Sequence, residues 1–480
     1  MLKPYPYQQD IIKRFRFKEA CALFLDAGCG KTIVSINLMR EAYNTHRYIL
    51  PTIIYCPIIV LENWKREIIQ CSKVPEEAIG VVIGSKAKRL KIIKNEKHKI
   101  LIVNYEATRS QELLEALIDF KARIVVCDES HKIKNHKLKT PKGKYSLTGA
   151  VLKTAEHSFY RQILSGTPIP QPEDIWSQYY FLDRGETFGD RFFSFKKRYF
   201  INKNAGWDSS KAFPNWVFND SLIEEYKERM GSKAARLTRE ECVDLPDLQQ
   251  ITINVEPSSE QLKHYAAVKT ALITWLEDQP DNPLICKNAL TKVLRLSEIL
   301  SGYMKLEDES IVELKHNPSL DALKEILEAT GDNKVIVWSI FKNNYKHIAK
   351  MLEKNKIEYV EVHGGISAKK KIENVDIFND RSNKVRVCIA NPASGGVGIN
   401  MKSAPYSVFY TLGHSLIDYE QSMARNYRSG SIDLYDQITH YFIQHKGMIT
   451  QHIVESILKK KDLADTLLNI KEIKKFLERG

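Results

Sequence analysis

The sequence predicts an α/β chain: two tandem doubly wound lobes, each built on a parallel sheet, with a helical insertion between them. Three observations carry that reading. Short β-branched apolar runs recur with helix-patterned segments between them, the rhythm stops from about 182 to 301, and it then resumes. Buried parallel strands read as near-continuous apolar runs because both faces are covered, and right-handed crossovers place helices on both sides. The expected boundaries are a first lobe over 1–183, a helical insertion and linker over 184–304, and a second lobe with C-terminal helices over 305–480. At 480 residues the chain is too long for one ordinary core.

In the first lobe the strand-like runs are 20–25, "TIIYCPI" at 52–58, "KILIVNYE" at 99–106, "RIVVCDES" at 123–130 and "RQILSGTP" at 161–168. Loops at the carboxyl ends of such strands carry the chemistry of a doubly wound sheet. Two of them belong together. "DAGCGKT" at 26–32 follows one apolar run and opens the helix-like run 33–42. A glycine turn there, with Gly28 and Gly30, lets backbone N–H groups close around phosphate oxygens, helped by the helix N-terminus. Lys31 supplies a point charge for the β- and γ-phosphates, and the Thr32 hydroxyl can ligate Mg²⁺. Leu25 stands where the strict GxxxxGK[ST] pattern has its first glycine. "DESH" at 128–131 ends another apolar run: Asp128 is placed to hold the metal through water, and Glu129 to activate the attacking water. The pair implies hydrolysis of ATP or a close relative.

The insertion opens with an aromatic and cationic stretch, including "FFSFKKRYF" at 192–200. Such a stretch either stacks on nucleic acid or makes a small helical core with lysines reaching outward, and the second is favoured. Residues 257–301 read as helix, broken by "DQPDNP" at 278–283. Strand-like runs resume at 334–341, 357–364, 385–393, 407–414 and 436–443, and the tail from Ile449 is helical in pattern and lysine-rich. This second lobe lacks a lysine-bearing phosphate loop. It carries instead "SGGVGIN" at 394–400, a glycine turn, and "QSMARNYRSG" at 421–430. On a helix Gln421, Arg425 and Arg428 fall at i, i+4 and i+7 and share one face. Facing a nucleotide held elsewhere, two arginines can act as fingers on the γ-phosphate, each worth roughly 10³–10⁵ in turnover.

The formal charge of +13 fits an anionic partner such as nucleic acid, and fits a generally basic surface equally well. Eight cysteines occur without a CxxC pair, which argues for a reducing compartment and against structural zinc. Cys56, Cys127 and Cys388 lie in apolar runs and read as small hydrophobes. Cys29, in the glycine turn, reads as semi-exposed and oxidation-sensitive. No signal peptide is visible, and the longest apolar stretch, 49–61, is broken by Pro51 and Pro57, so no membrane partner is expected.

Taken in order, "YQ" at 7–8, "DAGCGKT" at 26–32, "CPIIVLENWKREI" at 56–68, "VNYEATR" at 103–109, "DESHKIKN" at 128–135, "LSGTP" at 164–168, "ASGGVGIN" at 393–400 and "YEQSMARNYRSG" at 419–430 resemble the Swi/Snf-like branch of superfamily 2 helicases and DNA translocases. "VDLPD" at 243–247, "HGGISAKKKIENVDIFN" at 363–379 and "ESILKKKDLADTLL" at 455–468 add to the match. The compact length looks like phage or bacterial members. The resemblance implies two RecA-like lobes, with ATP and Mg²⁺ used and duplex DNA as partner. It assigns the adenine edge to Gln8, phosphate and metal to Lys31, Thr32, Asp128 and Glu129, and coupling to Ser165 and Thr167. Gly396, Gly398 and Gln421 fall to the interlobe cleft, and Arg425 and Arg428 complete the site from the second lobe. "HKIKNHKLKTPKGK" at 131–144, with six lysines, becomes a DNA-facing loop. Lys371 stands where the family usually has arginine, which replaces a bidentate contact by a point charge.

The expected activity is therefore a DNA-stimulated ATPase that translocates along duplex DNA, in the cytoplasm of a bacterial or phage-infected cell. A branch-specific helicase or strand-annealing enzyme acting on forks or junctions is the alternative. A non-hydrolysing clamp is disfavoured by the intact catalytic set. One chain is sufficient for a two-lobe motor, and recruitment is left to the motor surface or to another protein.

Overall fold

A computed structural model describes residues 3–26, 28–166, 172–203, 216–242, 245–277, 283–306, 308, 310–395, 400–428 and 430–459. It contains two compact units, Met1–Val243 and Asp244–Gly480. Among the described residues the first holds nine strands: β1 (Ala20–Leu25), β2 (Thr52–Cys56), β3 (Ile79–Val81), β4 (Ile100–Asn104), β5 (Ile124–Asp128), β6 (Tyr160–Leu164), β7 (Phe200–Asn202), β8 (Trp216–Phe218) and β9 (Ala234–Leu237). Seven make one sheet in the order β3-β4-β2-β5-β6-β1-β9, every pair parallel. All five residues of β2 and of β4 are buried, as strands covered on both faces must be.

The aromatic stretch is mainly core. Helix Phe192–Tyr199 buries Phe195 and Tyr199, which pack with Phe188 and Tyr226 at ring distances of 5.2–6.0 Å. Phe193, on the outer side, is exposed.

The second unit holds β10 (Asp247–Asn254), β11 (Tyr303–Lys305), β12 (Ile311–Glu313), β13 (Val335–Trp338), β14 (Tyr359–Val362), β15 (Val387–Ala390), β16 (Tyr406–Phe409) and β17 (Gln437–Gln444). Its parallel sheet runs β10-β17-β16-β13-β15-β14. Helices Ser259–Glu277 and Pro283–Leu300 lie between β10 and the β11–β12 hairpin, the helical insertion expected there.

Two expectations need correction. The boundaries at 183/184 and 304/305 give way to one at 243/244, because β9 is the outer strand of the first sheet and β10 the outer strand of the second. Neither announces itself as an apolar run. β9 has four residues, and β10, at an edge, is partly or fully exposed along its length. The helix expected to display Gln421, Arg425 and Arg428 together ends at Met423. Asn426 pulls the chain off the helical path onto the sheet. Its amide donates to Ala404 O (3.0 Å), and its Oδ1 accepts from Ser407 Oγ (3.3 Å) and meets His440 Nε2 (3.1 Å).

Asn426 is fully buried, so Asn426→Ala removes its contacts with the Ala404 carbonyl, the Ser407 hydroxyl and the His440 imidazole. The substitution should lower unfolding stability by about 1–3 kcal/mol, read from urea denaturation followed by tryptophan fluorescence.

Candidate nucleotide site

Strand register creates the site. Leu23 of β1 and Asp128 of β5 both pair with Leu164 of β6. The carboxyl ends of three adjacent strands therefore reach one edge nearly level. With strands about 4.8 Å apart, β1 and β5 stand roughly 10 Å from each other. That span suits a polyphosphate between the loop after β1 and the acids after β5.

The loop after β1 turns through Gly28 (φ 96°) and Gly30 (φ 75°), left-handed angles that favour glycine. Helix Lys31–His46 begins immediately after Gly30, so its first N–H groups face whatever occupies the turn. A Cβ at Gly30 would stand 2.2 Å from Gln8 Nε2. Gln8 is buried against the loop: its Nε2 donates to Cys29 O (3.3 Å) and its Oε1 accepts from Tyr5 N (2.9 Å). The Tyr7 hydroxyl also donates to Cys29 O, at 3.2 Å. Lys31 Nζ is held at the strand end by Leu25 O (2.8 Å) and Asp26 O (3.4 Å). Neutral carbonyls are weaker partners for an ammonium than a phosphate oxygen, so this cation is parked rather than committed. Cys29 is fully buried, not semi-exposed as the sequence suggested, because the turn folds its side chain toward Thr238.

Asp128 is fixed from three directions. Trp64 Nε1 donates to Oδ2 (2.9 Å), Glu129 N donates to Oδ1 (3.1 Å), and the Tyr105 hydroxyl donates to the Asp128 carbonyl (2.8 Å). Burial, and then the neighbouring Glu129, hold the Asp128 carboxyl well above the usual carboxylate range, opposed by the Trp64 hydrogen bond and the Lys31 charge. A carboxyl short of positive charge, on the same edge as the Thr32 hydroxyl, fits Mg²⁺, which takes few protein oxygens and completes its shell with water and phosphate. Glu129 adopts left-handed angles (φ 54°, ψ 57°), rare for a glutamate and frequent at functional positions. Its Oε2 lies 3.5 Å from His131 Nδ1. Burial, with Lys132 and Lys134 nearby, pushes His131 down to about 4, so at neutral pH this contact is no ion pair.

Behind the acids, Ser130 Oγ donates to Gln178 Oε1 (2.6 Å), which docks the turn on helix Ile175–Asp183. Ser165, directly after β6, is fully buried, and among the described residues its hydroxyl has no hydrogen-bond partner. Lys132, Lys134, Lys137, Lys139, Lys142 and Lys144 are all exposed. Trp64 and Tyr105 lie in segments that carry the family resemblance, yet the sequence alone assigns neither a role. Their signal, an indole and a phenol just past buried strands, means little until the fold places both on Asp128.

The second-lobe residues belong to a separate unit. Gln421 and Arg425 are buried, and Arg425 Nε donates to Gln421 O at 2.7 Å. Arg425 O in turn accepts from Met401 N at 3.0 Å, and Arg428 lies three residues on in the turn. Thr167, Gly396 and Gly398 lie outside the described residues. Among the described residues, no helix is long and apolar enough to cross a membrane.

Comparison with known proteins places these features. Residues 11–308 match the family model of the SNF2-related domain, and residues 318–430 match the helicase conserved C-terminal domain. The chain is 26% identical over 428 residues to protein p41 of Acyrthosiphon pisum secondary endosymbiont phage 1, covering 88% of each. It is 24% identical over 476 residues to an uncharacterized ATP-dependent helicase of Mycoplasma genitalium, covering 96% of this chain but only 42% of that one. Among solved structures, the Sulfolobus solfataricus SWI2/SNF2 ATPase core in complex with dsDNA matches over 97% of this chain and 96% of that one, at 21% identity and a TM-score of 0.42.

The raised Asp128 carboxyl makes a prediction about stability. Between the ordinary carboxylate value and its own, the folded chain binds a proton that the unfolded chain has released. Folding is therefore penalised as pH rises through that interval, and the penalty is complete above it. Asp128→Asn keeps an acceptor for Trp64 but removes the charge. In ligand-free protein at pH 7.5 it should stabilise by about 0.5–2 kcal/mol, with the gain vanishing at low pH, as thermal unfolding across pH would show.

Proposed function

Because the chain belongs to the SNF2-related family and is an ATPase of helicase superfamily 2, we propose that it is a motor translocating along duplex DNA, remodelling DNA or bound protein. One observation carries the reading: a single sheet edge presents the glycine turn with Lys31, then the Asp128–Glu129 pair, and continues into a loop with six exposed lysines. Fuel and track are thereby joined through one short stretch of backbone.

In this reading the loop N–H groups and Lys31 hold the phosphates of ATP, and Glu129 takes the proton of the attacking water. Thr32 and Asp128 hold Mg²⁺, which when bound withdraws charge from the phosphate oxygens. Gln8 exchanges its contacts within the chain for the adenine edge. Arg425 and Arg428 act in the closed state of the lobes, neutralising charge as the γ-phosphate leaves, with Gln421 and Gly398 at the same cleft. Closure is favoured only while the γ-phosphate supplies contacts absent from the open state. The lysine loop grips DNA phosphates, a contact that weakens steeply with salt.

The test is ATP turnover against duplex, single-stranded, forked and RNA ligands. Duplex DNA should stimulate most. Stimulation confined to forks would favour the branch-specific helicase, and stimulation by RNA alone would overturn the proposed substrate. Lys31→Ala and Glu129→Gln should each lower kcat at least about 10³-fold, and Arg425→Ala or Arg428→Ala by roughly 10³–10⁵, with circular dichroism unchanged. Full turnover in either first-lobe variant would sink the assignment.

A further inference from the structure

Two thiols meet behind the phosphate loop. Cys29 is sheltered: its carbonyl is held by Gln8 and Tyr7 (3.3 and 3.2 Å), and its sulfur lies 3.8 Å from Thr238 O. The segment opposite is set by strand pairing. β9 runs beside β1 with Leu25 opposite Leu237, and Asp26 N donates to Leu237 O at 3.2 Å. One helical turn, Arg239–Cys242, follows. Its start is fixed by Glu241 Oε2, which accepts from Thr238 N (2.7 Å) and Thr238 Oγ1 (3.1 Å). That turn carries Cys242 to four residues past Thr238, beside the Cys29 thiol, whose presence helps to keep the Cys242 thiol protonated. Cys29 is buried and Cys242 only partly so. One sulfur can be reached from solvent, and the other can be reached from the first.

We infer that Cys29 and Cys242 are an oxidisable pair, which a peroxide converts to a disulfide tying the phosphate loop to the segment where the chain leaves the first unit. The steps balance. The Cys242 thiolate attacks a peroxide oxygen, the O–O bond breaks, and hydroxide leaves with a proton as water, giving a sulfenic acid. The Cys29 sulfur then attacks the sulfenic sulfur, the S–O bond breaks, and a second water leaves. Two thiols lose two electrons and one hydrogen peroxide gains them. A thiol reductant reverses the bond by exchange.

The surroundings set how readily this happens. Burial, with Asp26 and Glu241 nearby, keeps the Cys242 thiol protonated well above its ordinary range. A thiol held protonated reacts slowly, so oxidation calls for excess peroxide. The consequence follows from distance. Sulfurs not bonded to each other are separated by well over 3 Å, whereas a disulfide requires about 2.05 Å. Closure therefore draws Cys29, with Gly28 and Gly30 on either side, more than roughly 1 Å toward Cys242. Displacement of that size at a reacting centre costs on the order of 10² in rate.

The covalent step stands without the proposed function, whereas the loss of turnover rests on it, so the two are read separately. The full chain is treated with excess hydrogen peroxide, then mapped by non-reducing peptide mass spectrometry and assayed for DNA-stimulated ATP turnover before and after dithiothreitol. A Cys29–Cys242 linked peptide should appear, turnover should fall roughly 10–100-fold, and reductant should restore it. Cys242→Ser should keep its turnover throughout. Absence of the linked peptide overturns the pairing. A linked peptide with undiminished turnover overturns its effect on the loop, and equal inactivation of Cys242→Ser assigns the damage to another group. If the reduced chain hydrolyses no ATP, the proposed function fails, while the peptide map still decides the cross-link.

Discussion

A shared neighbour strand is the constraint on which the first lobe depends. Because Leu164 of β6 pairs with both Leu23 and Asp128, the glycine turn and the acidic pair emerge level at one edge. Parallel pairing admits no small adjustment here. A slip of one residue would send every side chain of β5 to the opposite face, burying Asp128 where Cys127 now packs. The buried runs 21–25 of β1 and 124–127 of β5 make such a slip prohibitive. Hydrophobic patterning far from that edge thus positions the glycine turn and the acidic pair.

Around that edge the side chains hold charge where water is scarce. Asp128 keeps a raised carboxyl, Glu129 occupies a backbone region that costs an L-residue about 1–2 kcal/mol, and Lys31 rests on neutral carbonyls. Each alone is unfavourable. Under the proposed function one visitor, a phosphate chain carrying a divalent cation, would answer all three, supplying anion to the lysine and cation to the carboxylate. Trp64, Tyr105 and Gln178 secure the acids and their turn from behind, so the unfavourable arrangement does not relax away.

Legibility in the sequence tracks how local each feature is. β1, β2, β4, β5 and β6 are continuous apolar runs, and the glycine turn and acidic pair sit at their ends, so both were readable without coordinates. β9 and β10 were not. Both are sheet edges whose register comes from partners far along the chain, which is why the expected insertion was drawn too wide. Helical periodicity misled at Arg425 and Arg428, because a single buried Asn426 outweighs the intrinsic preference of its neighbours. Cys29 was misread for a similar reason: a glycine-rich turn suggests exposure, but the tertiary partner at Thr238 covers the sulfur.

The two lobes repeat an architecture but treat its functional edge differently. In the second sheet the side chains past β13, β15 and β16 bond to one another. Ser339 Oγ meets Thr411 Oγ1 (2.7 Å) and accepts from Asn344 Nδ2 (3.0 Å), while Asn391 Nδ2 donates to the Tyr345 hydroxyl (2.8 Å). Those contacts tie the three loops to one another. The first sheet instead leaves a glycine turn, a raised carboxyl and a buried Ser165 hydroxyl at the corresponding place. The same architecture thus ends in two edges of different character.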